Sequence, residues 1–407
     1  MSHVPAPPPV RFLDRTSPPH IATLVLMAGV SALSMNVFLP SLPAMAVWFD
    51  APYAVIQLSL SAYLALSAIL QLVIGPLSDR FGRRRVMLAA GGVFLVATLG
   101  ATIAPTVEMF LICRMAQAAI VAGMVLGRAI VRDMVPEAQA ASMIGYVTMG
   151  MSLVPMVAPL IGGVLDESFG WQANFVLMFV AGAAVLALVW ADQGETAVRA
   201  HVSFRAQIRS YPDLLASRRF WGYAVCAAAG SAAFFSFLGG APLVGARVFG
   251  LSPAELGGWF AAPAIGYLLG NYLSGRFAVR FGVVPMVLSG TLILTGATGL
   301  LIAGAMLFPA EPAAFFAVVT LIGVGNGLSL PSANAGMMSV RPDLAGSAAG
   351  LGGALVIGGG AAVSALAGPL LALGSTALPL ALLMFSTSVM ALVAILAVIR
   401  RNRRLGL

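Results

Sequence analysis

The chain has 407 residues, 60% of them hydrophobic and only 9% charged, with a formal net charge of +8. An ordinary soluble protein carries about a quarter of its residues charged, so this chain has too few charges to cover a water-facing surface. The positive excess does not point to nucleic acid either. All 22 basic residues are arginine, and they cluster in short gaps between long apolar stretches, the pattern that orients membrane proteins. Cys113 and Cys226 both fall inside apolar runs, which leaves neither a disulfide framework nor metal-ligand spacing; no metal and no cofactor are expected.

In chain order, residues 1–19 are Pro-rich and polar. They lack the apolar centre and small-residue cleavage site of a secretory signal, and are expected to form a disordered cytoplasmic tail. A bilayer core takes about 20 apolar residues per helix. Runs of that length follow at Ile21–Leu42, Tyr53–Leu77, Val86–Ala104, Met109–Val131, Ala140–Leu165 and Ala173–Ala191, giving a first unit over 20–191. A polar, Arg-rich loop covers 192–219. The second unit, 220–399, holds runs at Trp221–Val244, Ala254–Gly275, Val283–Leu307, Ala313–Ala333, Gly346–Leu373 and Ala377–Ile399, and a basic tail covers 400–407. Six spans on either side of the longest break suggest two bundles related by an internal repeat.

The arginines set the expected orientation. With the N-terminus inside, inner segments hold Arg80, Arg83, Arg84, Arg85, Arg132, Arg218, Arg219, Arg276, Arg280, Arg341 and the C-terminal cluster, while outer loops keep only Arg247. Both termini are therefore expected in the cytoplasm. The outer loops carry Asp50 with Trp48, and Asp166 and Glu167 with Trp171.

Between the second and third spans lies Gly75-Pro-Leu-Ser-Asp-Arg-Phe-Gly-Arg-Arg-Arg85, too cationic for hydrocarbon and hence a short loop at the membrane face. A weaker echo, Gly270-Asn-Tyr-Leu-Ser-Gly-Arg-Phe-Ala-Val-Arg-Phe-Gly282, occupies the equivalent place in the second half and lacks the Asp. The first motif resembles the loop between helices 2 and 3 of major facilitator superfamily transporters. Within that superfamily the chain is similar to the Bcr/CflA group of bacterial drug efflux proteins. The similarity rests on Leu39-Pro-Ser-Leu-Pro43, Arg114-Met-Ala-Gln117, Arg128-Ala-Ile-Val-Arg-Asp133, Ala158-Pro-Leu-Ile-Gly-Gly163 and Phe249-Gly-Leu-Ser-Pro253, in the right order and on the right spans. The resemblance implies an all-α membrane protein of the major facilitator fold, with twelve transmembrane helices in two six-helix bundles. It also implies a monomer in the bacterial cytoplasmic (inner) membrane that moves a small-molecule substrate, with protons as coupling partner and no nucleic acid.

Two groups of residues are candidates for the work. A conformational switch is expected from Gly75, Asp79, Arg80, Gly82, Arg83 and Arg84, joined by Arg128, Arg132 and Asp133 on the fourth span. The resemblance implies that Asp79 faces the start of the eleventh helix near Ala345–Ser347, where free N–H groups favour an anion, and an Arg83–Asp133 bridge is expected across the base of the first bundle. On the fifth span, Pro159, Gly162 and Gly163 belong to the stretch that resembles a motif associated with antiporters, and Pro155 precedes it one turn earlier. Their expected role is mechanical, bending the helix and letting a neighbour approach.

The second group is substrate-binding: Asn36, Tyr63, Arg114, Gln117, Met149, Phe234, Phe235 and Phe237. Arg114 lies within the fourth span without a counter-charge nearby in sequence, at a cost of about 2.5–3.5 kcal/mol at a helix centre. Two readings stand: it faces a wet cavity or buried partner, with Gln117 on the same face, or it snorkels outward toward Glu108. Asn36 occupies a position where the resembling group commonly has Asp, and no carboxylate falls near the middle of any span. The residue that the resemblance implies as proton site is therefore not an acid here, which leaves three readings: another group such as Asp79 or Glu108 titrates, the coupling differs, or the substrate moves down its own gradient. The aromatic and Met positions suit a surface that re-packs around varied apolar molecules, though each is equally a core residue type. With no His and no central carboxylate in the spans, acid–base or metal catalysis has no residues to use. The expected activity is export of small amphiphilic compounds by alternating access; the alternative is carriage of one specific, possibly anionic, metabolite on the same fold.

Overall fold

The computed structural model describes residues 10–135, 137–197, 211–308, 311–341 and 344–406. Within hydrocarbon a backbone must satisfy its own hydrogen bonds, and the apolar runs do so as long helices. These are α1 (Ile21–Trp48), α2 (Tyr53–Phe81), α3 (Arg83–Thr102), α4 (Val107–Met134), α5 (Glu137–Phe169) and α6 (Gln172–Asp192) in the first half. The second half holds α7 (Arg218–Arg247), α8 (Pro253–Trp259 continued by Ala261–Phe281), α9 (Val283–Leu307), α10 (Pro312–Ser339), α11 (Ala345–Ala372) and α12 (Leu378–Leu405).

Eleven of these are long and apolar enough to cross a membrane by length and composition. The twelfth, α8, is interrupted at Phe260 and carries Arg276 and Arg280 near its end, which lowers its hydropathy without changing its place in the bundle. Local chemistry fixes the ends. Ser252 and Glu255 form a reciprocal capping box at the start of α8, and the Thr106 hydroxyl accepts from the Met109 N–H at the start of α4. Gly82 (φ 97°) and Gly282 (φ 86°) make the same left-handed turn between α2 and α3 and between α8 and α9. That conformation suits glycine alone, and its recurrence is the repeat seen in sequence.

The packing repeats as well. In the first half α1 packs on α5 and α6, α3 on α4 and α6, and α2 on α4. In the second half α7 packs on α11 and α12, α9 on α10 and α12, and α8 on α10. The two six-helix bundles meet where α2 runs along α11 and where α5 crosses α8.

Residues 10–20, expected as part of a disordered tail, are instead a strap held across the end of the first bundle. Asp192, fully buried at the end of α6, accepts from the Leu13 N–H (2.7 Å), the His20 N–H (2.8 Å) and the Thr23 hydroxyl (2.6 Å). The Gly194 N–H donates to the Ser17 carbonyl at 2.9 Å, and the Arg15 guanidinium lies 4.6 Å from the centroid of Trp190. The sequence hid this because the strap has no periodicity and the residue that holds it is 172 positions away.

Candidate functional site

The central feature of the first bundle is Arg114. Its helix is α-helical to Gln117 and tightens into a 3₁₀ turn at Ala118–Val121, and the Arg114 side chain lies among residues of α1 and α2 inside the bundle. The guanidinium carbon sits 4.3 Å from the ring centroid of Phe38 and 4.7 Å from that of Tyr63. Nε donates to the Ser59 carbonyl at 3.3 Å, and Nη1 donates to Gln117 Oε1 at 2.5 Å. Gln117 in turn donates from Nε2 to the Thr98 hydroxyl at 2.6 Å.

The Arg114 residue is 0% exposed and its Nη2 has no partner. Among the described residues no carboxylate pairs with it; the two ion pairs there both belong to Arg83. Two aromatic faces therefore stand where a counter-ion would, each worth about 2 kcal/mol or more when desolvated. The snorkelling alternative is excluded: the side chain is enclosed, and Glu108 lies exposed at the start of α4.

The other expected binding residues scatter. Tyr63 and Gln117 join Arg114. Asn36 is buried, and its Nδ2 donates to the Ala32 carbonyl one turn back at 2.7 Å. Phe237 sits in the core of the second bundle, 5.2 Å from Phe260 and 6.2 Å from Phe316 between ring centroids. Phe235 packs where Gly360 of α11 leaves room, and Phe234 stacks 6.4 Å from Phe237. Met149 is on α5, and its side chain lies outside the described residues.

The switch residues come together at the arginine-rich end. Arg83 bridges Asp79 one turn earlier (2.5 Å) and Asp133 at the end of α4 (3.1 Å), and its Nη1 also donates to the Ser78 hydroxyl. The expected tie between α3 and α4 is thus formed, while the Asp79 carboxylate is engaged within its own turn. Glu195, beyond α6, accepts from the Arg83 N–H at 2.7 Å, capping α3 where Gly82 has no side chain to obstruct it. Arg84 donates to the Gln193 and Trp190 carbonyls at 2.6 and 2.8 Å, closing the end of α6. Arg80 lies over Phe81, an arrangement repeated by Arg280 over Phe281. Arg132 donates to the Arg128 carbonyl at 3.5 Å, with Arg128 exposed, and Gly75 faces open space.

The motif on α5 forms the crossing with α8. Pro155 and Pro159 lie inside the helix. Gly162 packs against the Val37 carbonyl of α1, and Gly163 packs against the Pro253 carbonyl at the start of α8. Gly257 of α8 returns the contact on the Pro159 carbonyl, and Glu167 accepts from the Ala254 N–H at 3.1 Å. A side chain at any of these three glycines would overlap a backbone carbonyl of the facing helix.

Sequence reasoning missed Gln57 on α2. It is 1% exposed, and its Nε2 donates to the Ser364 carbonyl of α11 across the divide between the bundles. Nearby, the Tyr53 hydroxyl donates to the Gly239 carbonyl of α7 at 2.7 Å. The available signal was a lone amide in an apolar run, a group that costs free energy unless it finds a partner.

Two six-helix bundles with a polar turn repeated in each half, a buried charge in one and glycine crossings between them define a multi-pass helical membrane protein of the carrier type. The Major Facilitator Superfamily model matches residues 24–365, and the chain belongs to that family. It is 30% identical over 338 residues to a chloramphenicol resistance protein of Pseudomonas aeruginosa, covering 80% of this chain and 78% of that one. It is 29% identical to multidrug resistance protein D of Escherichia coli, covering 84% and 86%. Among solved structures, a D-xylose-proton symporter shares the fold with a TM-score of 0.75 at 14% identity, covering 93% and 96%.

Proposed function

We propose that this protein exports small amphiphilic compounds, antibiotics among them, from the bacterial cytoplasm by alternating access. The observation that carries the reading is family membership together with relatives of about 30% identity named for drug resistance. The bundles tie together through α2 with α11 and α5 with α8 at the end opposite the arginine loops, as one state of a rocking pair requires. The protein sits in the inner membrane as a monomer, with its termini and arginine loops cytoplasmic.

Protons drive export, each charge moved supplying about 2.3 kcal/mol per 100 mV. With Asn36 in the first helix and Arg114 lacking a carboxylate partner among the described residues, the substrate pathway offers a cation no counter-charge. Neutral and weakly anionic compounds are the preferred cargo, phenicol-type antibiotics among them.

The test is growth of an efflux-deficient bacterium expressing the wild type or Arg114→Ala against chemically varied antibiotics and dyes. Protection against several unrelated compounds, lost in the variant at equal expression, supports export. No protection against any compound, with protein present in the membrane, moves the reading to a carrier for one anionic metabolite, for which Arg114 is the natural receptor. Protection against quaternary cations alone would overturn the charge preference.

A further inference from the structure

Gln57 stands at a junction of three helices from both bundles. On one side Gly239 of α7 has no side chain, and one there would overlap Gln57 Nε2 and crowd the Ser364 hydroxyl. On the other side Gly368 of α11 is bare where a methyl would overlap Gln57 Oε1 and the Ala54 backbone. The carboxamide is thus seated in a slot lined by two glycines of the second bundle, and its Nε2 is fixed on the Ser364 carbonyl. Tyr53, one turn earlier on α2, donates to the carbonyl of the same Gly239 at 2.7 Å.

The slot is not fully satisfied. Gln57 Oε1 and the Ser364 hydroxyl are both buried without a hydrogen-bond partner. A buried polar atom without a partner is costly, and water reaching it removes the cost. The seated amide is therefore held by shape and one hydrogen bond, while the unseated amide gains hydration. The missing hydrogen bonds narrow the gap between a seated and an unseated amide, which is what a gate needs.

We infer that Gln57 is the positioning residue of the outer gate: its insertion between Gly239 and Gly368 closes the outer face, and its withdrawal opens it. This rests on the alternating-access reading but not on which compound is carried, and its readout needs no substrate. Overfilling a packed slot typically costs enough to shift a two-state ratio at least about fivefold. Gly368→Ala is therefore expected to raise the ratio of outward-open to outward-closed molecules by that factor or more. Gln57→Ala raises it less, by about threefold, because one hydrogen bond is lost and one unpartnered oxygen goes with it. In Gln57→Ala/Gly368→Ala the severest overlap, with the amide oxygen, is gone and only the close approach to the Ala54 backbone remains, so the closed population recovers in part relative to Gly368→Ala alone.

The experiment uses the full chain in lipid nanodiscs with spin labels at Val47→Cys and Leu373→Cys, positions 82% and 83% exposed at the outer ends of α1 and α11. Cys113 and Cys226 are replaced by alanine, and distances are read by pulsed dipolar spectroscopy. A longer-distance population in Gly368→Ala that shrinks in the double variant supports the gate. An unchanged distribution in both single variants overturns it, as does a double variant at least as open as Gly368→Ala, since a merely structural glycine would show no rescue. If Gly368→Ala does not insert, Gly239→Ala paired with Gln57→Ala makes the same test from α7. Loss of drug resistance with these distance shifts intact would count against the proposed cargo and leave the gate standing.

Discussion

Between α1, α2, α3 and α4, the first bundle is filled by a guanidinium and the groups that hold it. Between the corresponding helices of the second, α7, α8 and α10, the space is filled by rings: Phe237, Phe260, Phe316 and Trp259, the last stacked 5.2 Å from Phe316. Rings attract one another through broad minima at centroid separations of 4.5–7 Å, so an aromatic core can slide a little without losing its cohesion. A guanidinium cannot, because its donors are fixed in a plane and each lost acceptor leaves a buried charge-bearing N–H unpaired. The first bundle has a ring cluster of its own, with Phe49, Phe110, Trp171 and Phe175 at neighbouring centroid separations of 5.4–5.8 Å, so what sets it apart is the buried guanidinium placed beside its rings. The second bundle also contains Asn326, 2% exposed, whose two amide atoms have no hydrogen-bond partner and which adds no hydrogen bond through its side chain to that bundle.

This contrast can be broken by substitution. Arg114→Ala is expected to have the largest functional effect, a loss of drug resistance of tenfold or more at equal membrane abundance, measured as minimum inhibitory concentration. Phe237→Ala should cost the most stability, about 3–5 kcal/mol, read as a lower unfolding temperature in detergent, while transport per folded molecule persists. Persistence would show that the ring stack is scaffold; its loss would place Phe237 in the substrate path. Gln117→Leu leaves Arg114 Nη1 without its acceptor and should cost about 1.5–3 kcal/mol, with resistance falling alongside. Asn326→Leu removes two unpartnered polar atoms and should raise the unfolding temperature, by about 1 kcal/mol in stability. A fall instead would mean that the amide holds ordered water or a ligand. A change of similar size and opposite sign, a loss of about 1 kcal/mol in stability, is expected from Thr98→Val, which removes the hydroxyl that accepts from Gln117.

The spans, the repeat and the Arg83–Asp133 bridge were legible in sequence because each is written locally, as apolar length, as a recurrent glycine–arginine turn, or as opposite charges at neighbouring helix ends. Arg114 was legible as an anomaly and Gln117 as its neighbour on the same face, but Phe38 and Thr98 were not, and Tyr63 was named without its tie to Arg114. Phe38, Tyr63 and Thr98 are ordinary apolar-span residues whose convergence depends on how three helices rotate. Gln57 was passed over for the same reason, since a single amide does not announce which helix it will reach. The aromatic candidates were chosen by residue type, and type alone could not distinguish Phe237 in a ring core from a wall of the transport path. The glycines of α5 were read correctly as close packing, but their partners on α8 required the crossing itself.

The strap at residues 10–20 also bears on the order of assembly. It is made before the first helix, yet the carboxylate that fastens it, Asp192, emerges about 170 residues later, at the end of the sixth helix. At typical synthesis rates of 5–20 residues per second that is a wait of roughly 10–35 s. Throughout this interval the strap lacks the carboxylate that fastens it. Both parts of the clasp therefore precede the second half in the order of synthesis.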